Sequence, residues 1–251
     1  TIFEKCSISK SNMKNIKIDN NEISNSKILD TNLSNSTLLS TNISNSIFEK
    51  SNLISIIIED CEIIKNEFLS SLLNESMIIE NKFEENNFFK CSIENVMHTK
   101  TTISKSKYNK SSLNKSSFLN TTISNSDFSN SLLENILISK DVVIQDVDFS
   151  NSSFNNSYFQ KTLIQTVNLQ NTSFNKTLLE KCIIKSSNMI NINAKESNFS
   201  KTEFYSCNMQ YMNLFKGNLE KSELIQCNLN NSNLYGCTIF NTKIKNTPLE
   251  N

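Results

Sequence analysis

The chain has 251 residues, and its 25 basic residues, all lysine, balance 25 acids to a formal net charge of zero. That balance, with no arginine for bidentate phosphate or base contacts, argues against direct nucleic-acid binding. The absence of any 18-residue apolar run argues against a helical membrane span. Only 2 Gly, 1 Pro and 1 His are present, against 37% apolar residues, so neither glycine-rich phosphate loops nor histidine-centred chemistry is expected.

The N-terminal half carries one large apolar residue at every fifth position. From Phe3, Ile8, Met13, Ile18 and Ile23 the five-residue step holds to Ile138, with His98 the one centre that is not apolar. The stretch TNLSNSTLLSTNISNSIFEKSNL (31–53) shows it plainly, with Leu33, Leu38, Ile43, Phe48 and Leu53 in step. Neither a strand, with period 2, nor a helix, with period 3.6, produces this spacing. One extra residue enters within SKDVVIQDVDF (139–149), and the rhythm resumes at Ile144 and continues to Leu249. Residues 139–143 therefore read as a seam between two runs of repeats, 1–138 and 144–251, within one domain. A bulge that absorbs one residue is the simplest reading of it.

A second position is constrained. Two residues before each apolar centre stands a small residue, mostly Ser or Thr, and all seven Cys fall there: Cys6, Cys61, Cys91, Cys182, Cys207, Cys227 and Cys237. No CxxC pair occurs, so free, buried thiols packed as small hydrophobes are expected rather than a metal site or disulfides. Two of every five residues thus point inward and three face solvent. The two centres that are not large and apolar are Ala194 and His98. The latter is expected to be buried, neutral and hydrogen-bonded rather than catalytic.

The repeats TNLSN (31–35), SNLIS (51–55), VNLQN (167–171), CNLNN (227–231) and SNLYG (232–236) resemble the motif of the pentapeptide-repeat proteins over essentially the whole chain. The resemblance implies an all-β fold, a right-handed quadrilateral (four-sided) parallel β-helix with one repeat per side. At four repeats per coil the chain would make about 12 coils, a rod roughly 60 Å long at the ~4.8 Å spacing of stacked strands. Residues twenty apart would then lie above one another, and Phe48, Phe68, Phe88, Tyr108 and Phe128 would form an aromatic ladder.

Function is expected on the exterior. Leu39, Ile57, Met77, Ile79, Met97 and Leu119 flank centres on one face; Leu29, Ile47, Leu69 and Phe89 map to the opposite face. Near the C-terminus Tyr205 shares a face with Ile225, and Phe215 with Tyr235. Rows of this kind mark candidate surfaces for a protein partner, including a second copy of the chain. Acids concentrate between Glu59 and Glu94 and are followed by Lys100, Lys105, Lys107, Lys110 and Lys115, an acidic belt beside a basic one. The expectation is a non-enzymatic interaction module without cofactor, metal, small-molecule substrate or membrane contact, located in the cytoplasm as the free thiols suggest, with a secreted effector as the alternative that the resemblance implies. The alternative, implied by the resemblance, is a DNA mimic that binds gyrase or topoisomerase, as acidic members of that family do; the zero net charge departs from them.

Overall fold

The protein is described by a computed structural model covering residues 2–250. It contains two compact units, Thr1–Asp127 and Phe128–Asn251. Each is a parallel β-solenoid, and no helix occurs among the described residues. Five residues make one side and four sides one turn, because every backbone partner stands twenty residues away, as in Phe3↔Ile23, Ile28↔Phe48 and Ile18↔Leu38.

In the first unit, three sides are built of three-residue strands. The first side includes Glu22–Ser24, Asn42–Ser44 and Glu62–Ile64; the second Lys27–Leu29, Ile47–Glu49 and Glu67–Leu69; the fourth Thr37–Leu39, Ile57–Glu59, Met77–Ile79 and Met97–Thr99. The third side pairs through single bridges such as Asn12↔Asn32↔Asn52. In the second unit, strands Val143–Gln145, Leu163–Gln165, Ile183–Lys185, Glu203–Tyr205 and Glu223–Ile225 stack on one side, and much of the rest pairs by single bridges between asparagines.

Why can a coil turn four corners with almost no glycine? The second residue after each centre adopts a left-handed conformation, from Lys5 (φ 52°) and Lys10 (φ 49°) through Asn246 (φ 50°). Asn and Asp tolerate this region, and Lys, Ser and Glu occupy it at a local cost. The inserted residue is absorbed at such a corner. Lys140 (φ 63°) and Asp141 (φ 60°) are both left-handed, where every other corner has one such residue. Pairing shifts to twenty-one residues at Ile138↔Phe159 and returns to twenty at Ile144↔Ile164. The seam is a corner bulge, as the spacing predicts.

The centres fill the shaft of each coil. Leu33, Phe68 and Phe154 are buried, and Ile103, Leu113 and Phe204 are wholly inaccessible. In the first unit Phe48, Phe68, Phe88 and Tyr108 stack with centroid separations of 4.8, 4.5 and 4.6 Å, parallel to within 11°. The last predicted rung, Phe128, belongs to the second unit, where its ring lies 5.2 Å from Phe149. Centres Ile239, Ile244 and Leu249 are exposed.

The small inward position is more than a space-saver. Ser71 Oγ donates to the carbonyl of Phe48 in the preceding turn (3.0 Å) and accepts from the amide of Ser51 (3.2 Å). Cys61 and Asn66 reproduce the accepting half, from the amides of Thr41 (3.3 Å) and Ser46 (2.9 Å). Each such residue therefore satisfies backbone groups that the corner takes out of the strand ladder.

Candidate interaction surfaces

The outward residues of each side stand in two columns, one before and one after the buried centre, and register decides which of them touch. On the fourth side of the first unit Ile57, Met77 and Met97 follow one another without interruption. Ile57 and Met77 are 36% and 38% exposed, and Met97 is half-buried. Ile79 borders this column. Leu39 and Leu119 do not join it: Glu59 stands between Leu39 and Ile79, and Thr99 between Ile79 and Leu119. The row predicted from the sequence thus contracts to four residues, because the column before the centre stays apolar and the column after it alternates with polar residues. The opposite side contracts likewise. Leu29 and Leu69 are separated by Glu49, leaving Leu69 beside Phe89. The Phe89 ring carries Lys90 Nζ at 5.3 Å and Lys110 Nζ at 5.9 Å.

In the second unit both predicted pairs come together. Tyr205 stands over Ile225, its hydroxyl donating to Glu203 Oε2 at 2.9 Å and its ring 5.8 Å from Lys185 Nζ. Phe215 and Tyr235 stack at 5.8 Å, 8° from parallel, with Lys216 Nζ 5.2 Å from the Phe215 ring. Sequence reasoning missed Leu72, Leu132, Tyr211 and Phe240, all exposed. Tyr211 occupies a left-handed corner (φ 58°), and its position two residues after Met209 was the available signal.

The two charge belts meet in the first unit and pair with each other. Lys100 Nζ lies 2.7 Å from Glu80, Lys105 Nζ 2.9 Å from Glu84 and 3.8 Å from Glu85, and Lys65 Nζ 3.8 Å from Glu85. The Lys82 ammonium, and then Lys105, hold the Glu84 carboxyl down at about 2. Pairing thus closes part of each belt, Glu80, Glu84 and Glu85 on the acidic side and Lys100 and Lys105 on the basic side.

The residues with chemical potential lie in the shaft, sealed there except for Cys6 and Cys237, which are half-buried. His98 is buried, stacked on Phe118 at 4.7 Å and 3°, and burial pushes its pKa down to about 3. Contrary to the sequence expectation, neither ring nitrogen has a hydrogen-bond partner, because stacked apolar side chains fill the shaft around it. The seven cysteines are free thiols. Burial raises Cys91 and Cys182 to about 11, and Cys207 is raised first by the stacked Cys227 thiol and then by burial. No group of three metal-ligating side chains occurs among the described residues.

No family model matches the chain, and no curated protein matches it. Among solved structures it is similar to the pentapeptide repeat protein Rfr23 from the cyanobacterium Cyanothece 51142, at 20% identity over 37% of this chain and 64% of that one, TM-score 0.36. It is similar to HetL, a pentapeptide repeat protein involved in heterocyst differentiation regulation from Nostoc sp. strain PCC 7120, at 13% identity over 91% and 88%, TM-score 0.35. It is also similar to QnrB1, a plasmid-mediated fluoroquinolone resistance protein, at 15% identity over 67% and 89%, TM-score 0.25. The match to Rfr23 spans less than two thirds of that protein. Alginate epimerases and a glucanase occur among the similar structures as well. What defines the chain is its own register: it is an all-β, four-sided parallel β-solenoid of five-residue repeats.

Proposed function

We propose that the protein is a non-enzymatic binding scaffold of the pentapeptide-repeat kind that engages a protein partner through its outer columns. The observation that carries this reading is the uninterrupted column Ile57–Met77–Met97, bordered by Ile79, on a rigid parallel sheet. Flexible, polarizable methionines on a fixed backbone suit an apolar partner surface. A second copy of the chain is one such partner, and the stacked Phe215–Tyr235 pair is the secondary candidate. Buried thiols such as Cys91 and Cys182, which burial keeps protonated, suit a reducing compartment and support a cytoplasmic location as part of this reading.

The test is light scattering of the purified chain over a concentration series, with and without the partner recovered by affinity capture. Met77→Glu is expected to weaken association by about tenfold or more, the loss of one buried hot-spot side chain. The exposed Met77→Glu protein should retain its thermal stability. A chain that stays monomeric and captures the same proteins with or without the substitution overturns the proposal. The gyrase-directed reading predicts inhibition of supercoiling by added protein. The ion pairs that bind Glu80, Glu84 and Glu85 to lysines weigh against the acidic surface such mimicry needs.

A further inference from the structure

In the first unit several lysines at left-handed corners face acids one turn away, as Lys65 meets Glu85, Lys100 meets Glu80 and Lys105 meets Glu85, and the stacked pair Lys90 and Lys110 lies over the Phe89 ring. One corner of the second unit is arranged otherwise. There Lys140, Lys161, Lys181, Lys201 and Lys221 succeed one another at the spacing of one turn, twenty-one residues across the seam and twenty thereafter. All five are exposed and all five are left-handed, with φ between 50° and 63°. Their backbones stand about 4.8 Å apart. Lysine stacked on lysine is repulsive, and the corner conformation favours Asn over Lys. Asn241, which closes the same column, shows the residue the corner accepts with least strain.

Three carboxylates lie beside the column, the first of them Asp141, next to Lys140 at the seam. Glu180 accepts from the Tyr158 hydroxyl (2.7 Å) and from Gln160 Nε2 (3.3 Å) of the preceding turn, and stands 3.9 Å from Lys181. Glu220 bridges Lys221 at 2.8 Å. No carboxylate bridges Lys161 or Lys201 among the described residues. The column is thus a line of ammonium groups one side chain wide, only partly neutralised along its length.

We infer that this ridge binds a linear polyanion, an extended chain bearing phosphate or carboxylate groups at short intervals and lacking bases. The single-file geometry matches one flexible strand rather than a broad duplex. The chain has no arginine for base edges, and the residues that precede the five lysines, Ser139, Gln160, Glu180, Ser200 and Glu220, supply no aromatic ring between them; the exposed Phe240 stands only beside Asn241 at the end of the column. Binding would relieve the repulsion along the column and release the counterions condensed on the polymer.

The test measures binding of labelled inorganic polyphosphate, polygalacturonate and a single-stranded DNA oligonucleotide of matched charge to the full chain across a salt series. The ridge variant Lys161→Asn/Lys181→Asn/Lys201→Asn installs the residue the corners prefer and should melt no lower than the parent. The control is Lys65→Asn/Lys100→Asn/Lys105→Asn in the first unit. Binding of polyphosphate or polygalacturonate is expected at low salt, with the two arms telling phosphate from carboxylate. The ridge variant should lose about tenfold or more in affinity, and its log–log salt slope should flatten by about 2, near 0.7 for each lysine removed. The control should change neither. Failure of both base-free polymers to bind, equal losses in ridge and control variants, or DNA bound about tenfold tighter than either polymer would each overturn the inference. Loss of partner capture in the Met77→Glu protein is read separately, since that residue lies in the other unit.

Discussion

Single residues carry two kinds of local cost in this molecule. His98 is neutral in the folded shaft, with its pKa near 3, whereas an unfolded chain protonates it below about 6.5. The folded value is depressed, so the stability this residue permits is intact above pH 6.5. It falls by up to about 1.4 kcal/mol per pH unit as the pH drops from 6.5 toward 3. His98→Leu should abolish that component of acid lability, and should stabilise the chain at neutral pH by about 1–2 kcal/mol because two unpartnered ring nitrogens disappear. Chemical denaturation at pH 7 and pH 4.5 checks both; a parent and variant with identical pH dependence would refute the assignment. The other cost is conformational. Thr166 is β-branched yet left-handed (φ 54°), and Thr166→Asn should raise stability by about 1 kcal/mol in thermal unfolding. The sequence shows His98 as a core residue, since it falls on the period; it does not show that both nitrogens go unpaired, which depends on side chains twenty residues to either side.

At the scale of one side of a turn, the hydroxyl ladder and the ring stack divide the work. Ser71→Ala should cost about 1–3 kcal/mol, leaving the Phe48 carbonyl and Ser51 amide without the Oγ they share. Ser71→Cys should cost clearly less, because Cys61 already accepts an amide in the same role. Denaturant midpoints for the two variants give the comparison. This role was only half legible beforehand. Small size at the position follows from Ser, Thr and Cys recurring there, but the presence of Asn66, Asn81 and Asn86 is the sign that hydrogen bonding matters too. The apolar columns were legible as candidates and not as surfaces. Glu49, Glu59 and Thr99 interrupt them, and only the register of neighbouring turns shows where. The corner conformation was hidden for another reason: its usual marker, glycine, is replaced by Asn, Lys, Ser, Asp and Glu, residues equally at home on any polar surface.

For the molecule as a whole, stability is a sum over turns and their neighbours. The seam offers a direct test, since it is the one corner with a residue to spare. Deleting Asp141 restores the twenty-residue register there and should change stability by no more than about 1 kcal/mol, through loss of one left-handed residue. Deleting Asn171 instead would throw every later centre, from Phe174 onward, off the shaft, and should abolish cooperative unfolding of the second unit. Circular dichroism melts of the two deletion proteins separate these outcomes; equal damage from both would show that the period does not set the fold. The five-residue rhythm made this architecture readable in advance, because a centre that misses the shaft exposes a large side chain at once. The external chemistry was harder to read, because nothing inside the coil constrains what the outer positions hold.

The twenty-residue register also shapes how such a gene can vary. A recombination event that duplicates or excises whole turns leaves every surviving ladder intact, whereas a length that breaks the five-residue step away from a tolerant corner such as Lys140–Asp141 scrambles the repeats downstream of it. Size differences among descendants of this chain should therefore come in whole-turn steps. The lysine column would lengthen or shorten with them one ammonium group at a time, giving lineage divergence a graded dial on ligand grip without a single substitution in the core.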